Sequence, residues 1–199
     1  ENQYGKTEGW LILDSKEDSS IIIGHNAKNK KELIDYIKND DYTNLLNEVK
    51  VKKGEFYPIP SKTIHALGKN LVILEIQQSS DVTYRFYDYH RKDKDGKERQ
   101  LHIEKAIEVT SYEKYDCQIK NVIEENVKTV WKNKYFEVNT YQVDQKFKFS
   151  NLNKDYFIVS VIEGKIKVND KILTLGDSFI ITSKCEILNL EGNGRILIT

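Results

Sequence analysis

"GEFYPIPSKTIH", residues 54 to 65, opens on a glycine, runs through two prolines that bracket an isoleucine, and ends on one of only four histidines in the chain. A related string, "GDSFIITSKCEI", occupies residues 176 to 187. Gly54 aligns with Gly176, Glu55 with Asp177, Tyr57 with Phe179, Ile59 with Ile181, and Ser61-Lys62 with Ser183-Lys184. Each string follows a Lys-rich strand pattern, "EVKVKK" and "KIKVNDKILTL". Self-similarity of this kind marks a turn-and-strand unit used twice. The copies part company at the histidine, because Ile187 stands where the first copy has His65. A histidine needed only by the shared fold would recur, so the expectation is one unit with a polar site and a second that became pure core.

Working outward, most of the chain reads as short strands. "GWLILD" (9–14) and "SIIIGH" (20–25) are apolar runs rich in Ile and Leu. "NLVILEIQQ" (70–78) alternates, with Val72, Leu74 and Ile76 on one face and Leu71, Ile73, Glu75 and Gln77 on the other. The mixed face suits a sheet with one side on a pocket. "DVTYRFYDY" (81–89) would place Thr83, Arg85, Tyr87 and Tyr89 on one face of a strand. Asn169-Asp170 and Gly176-Asp177 are turn signals.

One segment, about 29–49, has helical periodicity. Leu33, Ile34 and Ile37 form one stripe and Leu45, Leu46 and Val49 a second, with Asp40-Asp41 as a break. Asn29 followed by Glu32 has capping-box spacing. "IEKAIEV" (103–109) fits a short helix with Ile103, Ala106 and Ile107 inward. "RKDKDGKERQ" (91–100) reads as a solvated loop and 110–134 as a connector between two β units.

The chain has 199 residues, with 31 basic and 31 acidic side chains. Charge balance disfavours a nucleic-acid partner, and no apolar run approaches the ~20 residues that span a bilayer. Two isolated cysteines, Cys117 and Cys185, make neither a disulfide framework nor a zinc ribbon, so a reducing, cytoplasmic setting is expected. No signal peptide is visible. The sequence opens at Glu1 and holds no methionine, from which a piece of a longer protein is expected.

Gly54, Pro60 and His65 fit the second motif of the cupin superfamily, small jelly-roll β-barrels; Lys62 stands where that motif has its second glycine, so the turn there is expected to differ. "YGKTEGW" (4–10), "IPSKTIHALGKNLVILEIQQSSDVTYRFYDYHRKD" (59–93) and "ERQLHIEKAIEV" (98–109) together resemble type I mannose-6-phosphate isomerase, in the short form of low-GC Gram-positive bacteria. The resemblance covers residues 4–109 and continues more weakly through "SVIEGKI" and "LGDSFII".

That resemblance implies a mainly β fold of two cupin barrels, the first incomplete and carrying a small helical insertion. Residues 1–109 would be the C-terminal portion of the catalytic barrel, 110–134 a connector, and 135–199 a second, metal-free cupin-like barrel. It also implies one zinc held by a Gln, a His two residues later, a Glu and a second His. Glu8 of the Gly-Lys-Thr-Glu string and His65 would be two of those ligands. Gln3, followed by Tyr4 and Gly5, does not supply the Gln-x-His pair, so the other two ligands are expected upstream of Glu1.

The reaction implied is interconversion of mannose 6-phosphate and fructose 6-phosphate through an enediol. Zinc with nitrogen and oxygen ligands and an open position is the catalytic pattern, and it stabilises charge on the carbonyl oxygen. Arg85 matches the family's active-site arginine, a group that stays charged and can hold an enediolate oxygen or a phosphate. Lys6, two residues before Glu8, would point to the same face and serve the phosphate or the developing oxyanion. A competing reading is a non-catalytic, metal-free cupin that binds a sugar or a protein partner. An incomplete first barrel would expose strand edges, which favours association of copies.

Overall fold

A computed structural model of the chain describes residues 5–153 and 155–199. The sequence assignments at Gln3 and Tyr4 lie outside the described residues. The fold is mainly β, in two compact units: residues up to Lys53 with Tyr57–Ile119, and Gly54–Phe56 with Lys120–Thr199. No helix among the described residues is long and apolar enough to cross a membrane.

In chain order the first unit starts with β1 (Glu8–Ser15), β2 (Ser20–His25), α1 (Lys30–Lys38), α2 (Tyr42–Leu45) and β3 (Leu46–Lys50). β4 (Glu55–Ile59), β5 (His65–Leu67), β6 (Leu71–Gln77) and α3 (Ile103–Val109) follow. β1 runs antiparallel to β6, with Glu8 opposite Gln77, Trp10 opposite Glu75 and Ile12 opposite Ile73. Side chains alternate along a strand, so this register puts all six on one face. β2 pairs with β3 on one side and β5 on the other, with Ile23 opposite His65. Trp10 and Ile12, Ile21 and Ile23, Tyr57 and Ile59 bury together as the core. Burial of each such side chain contributes about 1.5–3 kcal/mol. The mixed face of β6 is thus the inward one: Ile73 meets the core and Glu75 accepts from Trp10 Nε1 at 3.1 Å.

A second cluster gathers Leu33, Leu45, Phe86 and Ala106 beneath the helices. Asn29 caps α1 by accepting from the Glu32 amide at 3.0 Å, and the Glu32 carboxylate returns to the Lys28 amide at 2.8 Å. The 29–49 segment is not helical throughout. Asp40 lies at φ +53°, Asp41 caps the one-turn α2 through the Asn44 amide, and Leu46–Lys50 is strand. Val49 is half-buried by pairing opposite Ile21 rather than by a helical stripe. Residues 81–88 also depart from the expected strand. The segment joins no sheet; its backbone is held instead by His102, whose Nδ1 accepts from the Arg85 amide at 3.1 Å.

The second unit contains β7 (Lys120–Asn121), β8 (Thr129–Lys132), β9 (Glu137–Ser150), β10 (Phe157–Val168), β11 (Lys171–Thr174), β12 (Ser178–Ile181) and β13 (Ile187–Ile198). Its main sheet has the order β11-β10-β13-β9-β8, with β12 also paired to β10. Val143, Val159, Val161, Ile166, Leu190 and Ile196 form its core. Asn169 at φ +53° makes the two-residue turn between the paired Val168 and Lys171.

The sequence repeat survives as structure. Gly54 and Gly176 both take left-handed φ, +88° and +92°, and each precedes the equivalent short strand, β4 or β12. His65 and Ile187 each begin the strand that follows. Ile187 is not core, however: it is 47% exposed, because the first residue of β13 lies before the buried positions Leu188 and Leu190. Cys117 and Cys185 are free thiols.

Candidate active site

Lys6, Glu8, His65, Glu75 and Arg85, drawn from four separate stretches of the first unit, share the wall of one cavity of about 1070 Å³. Glu8 starts β1 and points inward above Trp10 and the apolar floor. It is only 1% exposed. His65 starts β5 and reaches Glu8 from the neighbouring sheet, with Nε2 2.8 Å from Glu8 Oε1. The imidazole is further fixed edge-on against Trp10, ring centroids 5.3 Å apart. Lys6 Nζ lies 3.2 Å from the other carboxylate oxygen of Glu8.

The orientation of His65 is informative. Its Nδ1 lies 2.8 Å from the carbonyl oxygen of Thr63, a group that can only accept, so Nδ1 carries a proton. In the neutral imidazole Nε2 is then a bare lone pair facing a carboxylate oxygen. Two lone pairs at that distance repel unless a positive centre, a proton or a metal ion, serves both. Glu8 Oε1 is buried and makes no hydrogen bond of acceptable direction among the described residues, despite the nearby imidazole. A divalent metal ion is one such centre, and both atoms are of the types that ligate zinc. The carboxylate and imidazole thus fit zinc chemistry as two ligands.

Burial pushes the Glu8 carboxyl upward, but the adjacent His65 and the charge of Lys6 outweigh it, and Glu8 ionises below the ordinary range. Glu75 moves the other way. Burial and then the adjacent, hydrogen-bonded Glu8 carboxylate hold its proton on to higher pH. The sequence singled out Glu8, His65 and Lys6, and all three meet. Glu75 escaped notice as a site residue, although its place on the mixed face of β6 was the available signal. Arg85 is on the cavity wall, held at one end by its Nη1 donating to the Gln100 carbonyl at 3.0 Å.

A mainly β chain with a twice-used turn-and-strand unit, and with a carboxylate and an imidazole facing inward beside the first copy, is a cupin. Residues 126–199 match the family model for the cupin domain of mannose-6-phosphate isomerase. Mannose-6-phosphate isomerase ManA of Bacillus subtilis is 41% identical over 167 residues, 82% of this chain and 53% of ManA. The crystal structure of a mannose 6-phosphate isomerase from Bacillus subtilis superposes with a TM-score of 0.83 at 35% identity, over 98% of this chain and 65% of that one. A mannose 6-phosphate isomerase crystallised with zinc and yttrium bound gives a TM-score of 0.66 at 12% identity, over 97% of this chain and 66% of that one, a likeness of fold. The chain belongs to the mannose-6-phosphate isomerase family. It spans between 53% and 65% of the length of the curated relatives it matches.

Proposed function

We propose that the protein is a zinc-dependent aldose–ketose isomerase that interconverts mannose 6-phosphate and fructose 6-phosphate. The observation that carries this reading is the pair of buried donors, Glu8 Oε1 and His65 Nε2, 2.8 Å apart with His65 Nδ1 committed to Thr63. Glu8 and His65 would hold the zinc, together with a Gln-x-His pair expected upstream of Glu1. When bound, the zinc supplies Lewis-acid stabilisation of negative charge on the substrate's carbonyl oxygen.

The chain's own groups divide the remaining work. Arg85 offers its free guanidinium edge to the enediolate oxygen and cannot lose its charge in doing so. Lys6, after His65, helps to keep Glu8 ionised and adds a second cation where charge develops. Trp10 and the core beneath it keep water from one side of the site. In this reading residues 1–109 are the C-terminal portion of the catalytic barrel, 110–134 link it onward, and 135–199 form a metal-free barrel.

A non-catalytic cupin is the second reading, favoured by one fact: no group of three His, Cys, Asp or Glu side chains that could hold a metal ion is found among the described residues. Metal analysis and an isomerase assay on the protein as its gene encodes it separate the two. The isomerase reading expects about one zinc per chain and turnover of mannose 6-phosphate, both lost in His65→Ala. A metal-free, inactive wild type would overturn it. Arg85→Ala should keep the zinc and lower turnover at least about tenfold; loss of metal with an unchanged rate per bound zinc would remove Arg85 from its role.

A further inference from the structure

We propose that Arg91 and Arg99, anchored by the buried carboxylate of Asp88, form the subsite for the phosphate group of the substrate. The identity of that ligand rests on the isomerase reading above; the anion chemistry does not.

Asp88 is buried, its side chain 6% exposed, while the side chains of Arg91 and Arg99 are 63% and 50% exposed. All three line the same cavity as Glu8 and His65. Arg91 donates from Nη2 to Asp88 Oδ1 at 2.8 Å and from Nε to the Asp88 carbonyl at 3.3 Å. Arg99 donates from Nε to Asp88 Oδ2 at 2.8 Å and from Nη2 to Oδ1. Asp88 thereby occupies Nε and Nη2 of both guanidiniums and leaves the Nη1 edge of each for a ligand. One carboxylate against two guanidiniums also leaves one positive charge uncompensated.

The wall as a whole repeats that imbalance. Six of the cavity's lining residues are Lys or Arg and four are Asp or Glu, although the whole chain has 31 of each sign. An anionic ligand fits such a wall. The two arginines are also pre-positioned. Asp93 Oδ1 accepts the amides of Asp95 and Lys97 at 2.8 and 2.9 Å, Gly96 turns at φ +75°, and Lys92 bridges to Glu98, so the 91–99 loop is a closed hairpin. Paired, preorganised guanidiniums meet a phosphate through two parallel N–H donors at low entropic cost.

The test titrates the chain with inorganic phosphate, mannose 6-phosphate and mannose, by calorimetry and by NMR of the arginine Nε–H signals. Mannose 6-phosphate should bind at least about tenfold tighter than mannose, more weakly as salt rises, and phosphate alone should shift the Arg91 and Arg99 signals. Arg91→Gln with Arg99→Gln should remove the phosphate response and the preference for the phosphorylated sugar. Arg91→Lys with Arg99→Lys should restore part of both, which a purely structural role would not do. If the double Gln variant fails to fold, single Arg91→Gln, at the more exposed position, carries the same comparison. Unchanged affinity or KM for mannose 6-phosphate in the Gln variants would overturn the subsite while leaving the isomerase reading standing. Loss of phosphate binding in those variants, with no isomerisation by the zinc-loaded wild type, would uphold the subsite and sink the isomerase reading. Wild-type arginine signals unmoved by both phosphate and mannose 6-phosphate would overturn the subsite outright.

Discussion

Lys62 sits at φ +78°, a left-handed conformation that costs a residue with a Cβ about 1–2 kcal/mol. It does so at the position where the cupin motif has its second glycine, a residue that reaches this conformation without the strain a Cβ brings. The Lys62 carbonyl accepts from the Ser111 amide at 3.1 Å, which holds the turn closed. Lys62→Gly should therefore stabilise the chain by about 1 kcal/mol, read as a higher midpoint in urea with an unchanged slope. A lower midpoint would show that the lysine side chain outweighs the strain. The repeat's leading glycines make a paired test. Alanine at Gly176 meets no atom within 4 Å and pays only for its φ of +92°. Alanine at Gly54 pays for φ and also meets Asn121 Oδ1 at 2.4 Å, an atom already accepting from the amides of Ile123 and Glu124. Gly54→Ala should thus cost about 1–3 kcal/mol more than Gly176→Ala, whose own cost is about 1 kcal/mol. Equal losses in parallel denaturation would contradict the geometry at Gly54. The glycine pair was legible from the alignment of the two strings, whereas the backbone angle of Lys62 was not, because lysine carries no signal for positive φ.

At the scale of elements, the readings that held were those with a local cause. The cap of α1 is one: Asn29→Ala should cost about 1 kcal/mol by thermal or urea unfolding, and no loss would show the cap to be idle. The readings that failed needed a partner the pattern could not name. Leu46–Lys50 became strand because β2 lies beside it, and 81–88 stayed outside any sheet because no strand does. The charged run 91–100 is the solvated loop its composition suggests, exposed throughout, while the convergence of its arginines on Asp88 is a contact that composition does not reveal. That contact predicts a pH response. The Arg99 hydrogen bond above all, with Arg91, lowers the Asp88 carboxyl from 3.8 to about 2 against the cost of its burial. A depressed acid contributes stability above its unfolded value and loses it as pH falls through the folded one. The NMR signal of the Arg99 Nε–H, which donates to Asp88 Oδ2, should hold its position down to about pH 4 and move toward about pH 2 as Asp88 takes up its proton. Asp88→Asn should abolish that transition. A midpoint near the ordinary value for aspartate would show that the arginines do not hold the carboxylate.

For the molecule as a whole, the repeat was visible because a left-handed turn followed by a short strand needs the same residue types each time, Gly then an apolar run. The divergence between copies was equally visible as His65 against Ile187, though the second copy's residue turned out to be exposed rather than core. The meeting of Glu8 with His65 was legible only through resemblance. They lie far apart in sequence, on β1 and β5 of different sheets, and no periodicity brings them together. Glu75 and the Asp88 pair were hidden for the same reason: their roles come from what the folded chain sets beside them. The central claim is that His65 presents a bare Nε2 to a metal shared with Glu8. The deciding experiment is ¹⁵N NMR of the His65 imidazole as zinc is titrated into the protein as its gene encodes it. Nδ1 should keep its proton throughout while the Nε2 signal moves to a metal-bound position, and Glu8→Gln should weaken the response. An Nε2 signal unaffected by zinc, or zinc binding at Nδ1, would contradict it.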